Sequence, residues 1–246
     1  TNKAAREMRH RVDSLLGEKS SGLTMGTFHA TCARILRRES ENLLGYDGNF
    51  LIFDTADQRQ VAKQAVQDLG LDDKRFSPNR MLSGISMAKN ELVTPEQYAA
   101  SNYISEITRR VYQRYQEILV ANNAMDFDDL LLNWLLLLNR FSRARAELRE
   151  RFDHVLVDEY QDTNRLQADI VDAMLGPDRN VMVVGDDAQS IYAFRGADFE
   201  NILGFPERHP DWKEHLAKHA PDLVSYLGQQ VFEGLRVLGR GGAAWS

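Results

Sequence analysis

Val155-Leu156-Val157-Asp158-Glu159-Tyr160-Gln161-Asp162 is the stretch on which the fold turns. Three aliphatic residues in a row, followed at once by adjacent carboxylates, read as a short strand that delivers acid to its C-terminal end. A second run of the same kind, Asn180-Val181-Met182-Val183-Val184, ends in Gly185-Asp186-Asp187. Between the two, Leu166 to Leu175 has helical spacing and Gly176-Pro177 closes it. Asp158 and Asp186 stand 28 residues apart, the length of a strand, a crossover helix and a parallel strand. Near-continuous apolar strands predict a sheet covered on both faces, and the fold class is α/β.

Working outward, the rest of the chain reads as helix with few interruptions. Residues 3–16 put Ala4, Met8, Val12 and Leu15 on one face, and Ser20-Ser21-Gly22 is read as the break. Leu23-Thr24-Met25 reads as a short strand, and Thr27 as the cap of a helix carrying Cys32, Ile35 and Leu36. From Phe50 to Asn123 the pattern is helical, broken at Gly70 to Pro78 and at Glu91 to Pro95, with no strand expected. Asp126 opens a leucine-rich helix through Leu138, its acids favoured by the helix dipole, and residues 142–150 add a charged one. Residues 211–238 are read as helix and Gly239 to Ser246 as a loose end. The organisation is therefore an α/β core interrupted by an all-helical insertion.

Composition narrows the function classes. The chain has 246 residues, 36 acidic against 30 basic, for a net charge of −6. That excludes a histone-like polybasic protein while leaving local basic faces open. One is visible: residues 1–45 hold eight Lys or Arg against five Asp or Glu. A single cysteine, Cys32, excludes an internal disulfide and a cysteine-based zinc cluster, and points to a reducing, cytoplasmic compartment. The longest apolar stretch, Leu130 to Leu138, is interrupted by Asn133 and is too short to span a bilayer, so no membrane partner is expected. The chain opens on Thr1-Asn2-Lys3 without an initiator methionine, and is read as a fragment.

Chemistry concentrates at the two strand ends. Asp158 and Glu159 stand where open α/β sheets bind ligands. Magnesium needs hard oxygen ligands and keeps several waters, so one carboxylate plus nucleotide phosphate suffices, and the neighbouring carboxylate can take a proton from an attacking water. Past the second strand, Gln189 is placed to sense a terminal phosphate. Tyr192, Phe194 and Arg195 offer flat faces and a cation, the combination that stacks bases and grips a phosphate backbone. Thr27-Phe28-His29, at a strand-to-helix junction, can present a hydroxyl, an imidazole and backbone N–H groups to phosphates. The six histidines show no metal spacing, and none of the 16 glycines precedes a lysine, so no phosphate-binding loop of the Gly-x-x-x-x-Gly-Lys type is present in these residues.

Together these segments resemble the UvrD/PcrA/Rep group of superfamily 1 DNA helicases. Thr1 to Met8 is similar to motif Ia of that group, and Gly26-Thr27-Phe28-His29 with Arg34-Ile35-Leu36-Arg37-Arg38 to motif Ib. Asp158 to Asn164 matches motif II and Gly185 to Asp198 motif III. Ala88-Lys89-Asn90-Glu91-Leu92 and Asp126-Phe127-Asp128-Asp129-Leu130 resemble further segments, in the expected order. Ala188 and Phe194 stand where several members have aspartate and tryptophan.

The resemblance implies a partial RecA-like (P-loop NTPase) parallel sheet with a large all-helical insertion. Residues 1–45 and 124–210 would form a discontinuous first RecA-like domain, 46–123 the insertion, and 211–246 an unassigned tail. It implies ATP and Mg2+ as cofactors, with Asp158 on the metal, Glu159 activating water and Gln189 coupling the terminal phosphate to DNA. Asn2, Lys3, Thr27, His29, Tyr192, Phe194 and Arg195 would contact the strand. The implied activity is ATP-driven 3′ to 5′ translocation on single-stranded DNA and unwinding of duplex, with loading proteins of repair or replication as partners. The phosphate loop is expected upstream of Thr1 and a second RecA-like domain after Pro210, so the isolated chain is expected to be inactive in ATP hydrolysis. A non-catalytic single-stranded DNA-binding domain is the competing expectation.

Overall fold

The computed structural model describes residues 2–43, 45–176, 180–186, 201, 204–209, 213–216 and 235–240. It divides into two compact units, Thr1–Leu137 and Leu138–Ser246.

The first unit opens with α1 (Asn2–Leu16). Gly17, at φ +56°, ends this helix three residues before the predicted Ser-Ser-Gly break, because only glycine enters the left-handed region without a Cβ penalty. Residues 17–22 continue as a 3-10 turn. Residues 23–25 form no strand, in contrast to the expectation: Arg9 Nη2 donates to the Leu23 carbonyl at 3.0 Å, a side chain taking the place of a neighbouring strand there. The apolar face of α1 is only partly covered, with Leu15 61% exposed. Thr27 caps α2 (Phe28–Leu43) as predicted, its Oγ1 accepting the Ala30 N–H at 3.3 Å. Cys32, Ile35 and Leu36 are buried.

Three helices then make one apolar core: α3 (Thr55–Asp68), α4 (Pro78–Asn90) and α5 (Tyr103–Ala121). Each starts on a short polar cap, Asp54, Ser77 and Asn102, whose oxygen accepts an otherwise orphaned backbone N–H. Val61, Val66, Met81, Ile85, Val111, Tyr112, Tyr115 and Leu119 form the core between them. The predicted all-helical character holds with one exception. Leu51–Ile52 (β1) pairs in parallel with Ala124–Met125 (β2), Leu51 opposite Ala124. Two residues carry no readable period, and the pairing is decided by chain ends that meet: Leu51 N–H reaches the Asn123 carbonyl at 2.9 Å. The helix α6 (Phe127–Arg140) follows, with Leu130, Leu131, Trp134, Leu135 and Leu138 buried.

In the second unit α7 (Ser142–Arg151) leads to β3 (Val155–Val157), α8 (Arg165–Met174) and β4 (Val181–Asp186). The predicted crossover is present: β3 and β4 are parallel, Val155 opposite Val181 and Val157 opposite Val183. The expectation of a sheet covered on both faces is not met at β3, an edge strand whose Leu156 is 71% exposed while Val157, on the other face, is buried. Residues 211–238 are not one helix, and the glycine-rich end is not wholly loose. Lys213–Leu216 (β5) and Leu235–Arg240 (β6) join the sheet in the order β3-β4-β6-β5, β6 antiparallel to β4 with Asp186 opposite Leu235. The second edge of β4 has backbone donors and acceptors to satisfy, and this demand overrides the helical periodicity of the tail. The fold class is α/β; the described residues are mostly helical, with two small sheets that each contain a parallel pair.

Candidate functional site

Asp158 and Glu159 follow β3 directly, at the end toward which β4 also runs. A hydrogen-bonded turn holds them. One Asp158 carboxylate oxygen accepts the Glu159 N–H at 3.0 Å, and among the described residues that carboxylate takes no other hydrogen bond. Solvent reaches the Asp158 side chain, yet burial of its carboxyl lifts the pKa above the ordinary carboxylate value, outweighing the Glu159 N–H that lowers it.

Glu159 has φ +53° and ψ +44°, the left-handed region, which costs an L side chain about 1–2 kcal/mol. The turn around it compensates. Gln161, 2% exposed, donates from Nε2 to Glu159 Oε2 at 2.7 Å, which fixes the direction of the carboxylate. Thr163 Oγ1 donates to the Tyr160 carbonyl at 2.6 Å, and Asp162 N–H to the Glu159 carbonyl.

Residues far along the chain brace this turn, and the sequence reading did not anticipate them. Asn201 Nδ2 donates to the Thr163 carbonyl at 2.9 Å. Phe205 packs edge-on to Tyr160 at 5.7 Å, both fully buried. Arg208 bridges Asp169 and Asp172 at 3.0 and 2.6 Å, and His209 Nε2 lies 3.0 Å from Asp172. Arg208 and His209 pull the Asp172 pKa below the usual value despite its burial. Two aromatic residues a turn apart at Phe205 and His209 were the available signal, but nothing local pairs them with Tyr160.

Of the other predicted site residues, Asn2 and Thr27 come together, Thr27 Oγ1 donating to Asn2 Oδ1 at 3.3 Å. Lys3 is exposed on α1. His29 is half-buried on the first turn of α2, edge-on to the Phe127 ring at 5.9 Å. Burial lowers its pKa, and the Asp128 charge opposes that shift. Gln189, Tyr192, Phe194 and Arg195 lie outside the described residues. No group of three or more His, Cys, Asp or Glu that could hold a metal occurs among the described residues, and no helix there is long and apolar enough to cross a membrane.

The acidic run 126–129 opens α6 as predicted, and does more than start a helix. Asp126 and Asp129 do cap α6 reciprocally, each accepting the other's backbone N–H at 2.8 and 3.2 Å. Both are also buried around the ammonium of Lys89, which sits 2.7 Å from Asp126 and 2.8 Å from Asp129 and is itself fully buried. Tyr115 OH donates to Asp126 at 2.9 Å, and Gln116 Nε2 donates to Asp129 at 3.2 Å. The Tyr112 and Tyr115 rings flank the ammonium at 5.8 and 5.1 Å. Burial alone would depress the Lys89 pKa, but the two carboxylates outweigh it and hold the amine protonated. For Asp126 burial is outweighed by Lys89 and the pKa falls; for Asp129 burial and the Asp126 charge prevail and push it up to about 6.

With this geometry in hand, the comparisons with known proteins are specific. The family description of the UvrD/REP helicase N-terminal domain matches residues 1–210. The chain is 38% identical to the ATP-dependent DNA helicase PcrA of Staphylococcus epidermidis over 255 aligned residues, 98% of this chain and 35% of that protein. It is 44% identical to PcrA of Bacillus subtilis, over 86% of this chain and 29% of that protein. Against the ATP-dependent DNA helicase UvrD1 of Mycobacterium bovis it is 45% identical, over 88% of this chain and 30% of that protein. The chain belongs to the UvrD/REP helicase N-terminal domain family. It spans about a third of the length of the curated relatives it matches.

Proposed function

We propose that this chain is the motif-bearing part of an ATP-dependent DNA helicase that translocates 3′ to 5′ on single-stranded DNA. Residues 1–45 and 124–210 belong to its first RecA-like domain and 46–123 are a helical insertion, while 211–246 are a tail without an assigned domain that lends β5 and β6 to the sheet of β3 and β4. The observation that carries this reading is the Asp158-Glu159 pair at the end of β3, beside the parallel β4, in a chain whose relatives are ATP-dependent DNA helicases.

The chemistry assigns separate tasks. Among the described residues the Asp158 carboxylate has only one backbone donor on it, which suits a hard cation completed by nucleotide phosphates and water, so magnesium fits this donor set. The ion, when bound with ATP, neutralises charge that develops on the phosphates. Glu159, aimed by Gln161, accepts the proton of an attacking water. Gln189 senses the terminal phosphate. Tyr192 and Phe194 stack on bases, while Arg195, Asn2, Lys3, Thr27 and His29 contact the strand backbone. Loading proteins of repair or replication are the partners such an activity engages, in the cytoplasm.

The test is a chimera in which residues 1–210 replace the matching segment of Bacillus subtilis PcrA. Phosphate release stimulated by single-stranded DNA, and lost on Glu159→Gln, is the expected result. A chimera that stays inactive, together with salt-sensitive oligonucleotide binding by the chain alone, replaces the motor reading with that of a non-catalytic DNA-binding domain. No binding at low salt and no turnover sink both.

A further inference from the structure

We propose that Lys89 is a positioning residue for the face that carries His29, acting through the first turn of α6; the DNA contact assigned to His29 above is the reading on which its functional meaning rests. Lys89 lies in α4, where Met81, Ile85 and Ala88 face the apolar core, and a lone ammonium there is costly to desolvate. Fold stability alone is served as well by an apolar residue at such a position, since well-packed hydrophobic replacements of buried ion pairs are often neutral or stabilising. What the ammonium does, and a methionine cannot, is bind two carboxylates of one helical turn at once, at 2.7 and 2.8 Å.

The next residue extends the grip. Asn90 Nδ2 donates to Asp128 Oδ1 at 3.3 Å. Lys89 and Asn90 thus hold all three aspartates of Asp126-Phe127-Asp128-Asp129, and the one residue of the turn they do not hold, Phe127, stands against the His29 ring at 5.9 Å. The chain of contact runs Lys89 to Asp126 and Asp129, through the fixed turn to Phe127, and on to His29. Tyr115 and Gln116 of α5 donate to the same two carboxylates, so the turn is held from two helices. Two segments that the sequence marks separately, 88–92 and 126–130, are therefore one device. It sets the α6 start against α2.

The experiment separates this role from plain stabilisation. Lys89→Met alone leaves two carboxylates buried without a cation and is expected to unfold part of the unit. The triple variant Lys89→Met/Asp126→Asn/Asp129→Asn removes the charges together, keeps the reciprocal caps, and is expected to fold with a melting temperature close to that of the parent. Two readouts then decide. In the triple variant the His29 ring-proton resonances are expected to leave their parent positions and move toward those of an exposed imidazole. Affinity for a fluorescent oligo-dT strand is expected to fall by about tenfold, the loss of roughly one contact. A folded triple variant whose His29 resonances stay in place overturns the proposal, as does parent-like resonance behaviour restored merely by restoring stability. If the parent chain itself does not bind the oligonucleotide, the DNA reading fails while the His29 resonances still decide the positioning role.

Discussion

Two acidic runs in this chain look alike on paper and end in opposite states. Asp126-Phe127-Asp128-Asp129 precedes a helix and Asp158-Glu159-Tyr160-Gln161-Asp162 follows a strand. In the first, two carboxylates are sealed from water and share a buried ammonium, two phenol rings and a glutamine. In the second, the carboxylates stay open to solvent, and among the described residues Asp158 accepts only a backbone N–H. A saturated carboxylate is structural, since its lone pairs are spent on fixed partners. An unsaturated one held in a strained turn retains capacity for a ligand. Carboxylate density in a sequence says little until the partners of each carboxylate are counted.

Removing one charge from each run should separate the two most clearly. Lys89→Met should destabilise the first unit by about 3–5 kcal/mol, because it strands Asp126 and Asp129 without their cation. Asp158→Asn should change stability by less than about 0.5 kcal/mol, or raise it slightly, since no partner is lost. Hydrogen exchange of the α4 to α6 amides and of the β3 to α8 amides reads the two cases separately. Equal losses at both sites would mean that the two runs do not differ in this way.

The brace behind the second run gives the next largest effect. Phe205→Ala removes a fully buried ring that packs on Tyr160, and should cost about 3–5 kcal/mol in urea unfolding of the second unit. If the loss stays below about 1 kcal/mol, the segment 201–209 does not hold the Glu159 turn.

The pH dependence should differ as well. Asp129 has a folded pKa of about 6, above its unfolded value, so the folded state binds the extra proton between the two. Stability from this group therefore rises as pH falls from about 6 toward 4. Asp126 is shifted the other way, and its contribution is lost only at lower pH. Asp129→Asn should flatten the gain in the first unit between pH 7.5 and 4.5, measured as the difference in urea midpoint from the parent. An unchanged profile would show that Asp129 is not the group that titrates.

The smallest effect concerns strain. Glu159→Gly should stabilise the second unit by up to about 1 kcal/mol by removing the Cβ from a left-handed position, while abolishing the hydrolysis proposed for the chimera. A loss of stability instead would mean that the Gln161 hydrogen bond outweighs the backbone cost.

Helices and the parallel crossover were legible because they obey local periods. Apolar spacing announced α3, α4, α5 and α8, and 28 residues between Asp158 and Asp186 announced a strand, helix and strand. The position of Asp158 and Glu159 at a strand end was legible for the same reason, since a strand end needs no distant partner to be recognised. What depended on tertiary contact was not legible. The two-residue pairing of Leu51–Ile52 with Ala124–Met125, the strands in the tail, and the exposure of Leu156 all follow from which backbone edges meet. The Lys89 lock spans 37 residues and the Asn201 brace 38, well beyond any helical or strand repeat. Periodicity records which face of an element is apolar; whether a given carboxylate on it is neutralised or left open is decided by the charge and hydrogen-bond donors that folding brings within 3 Å.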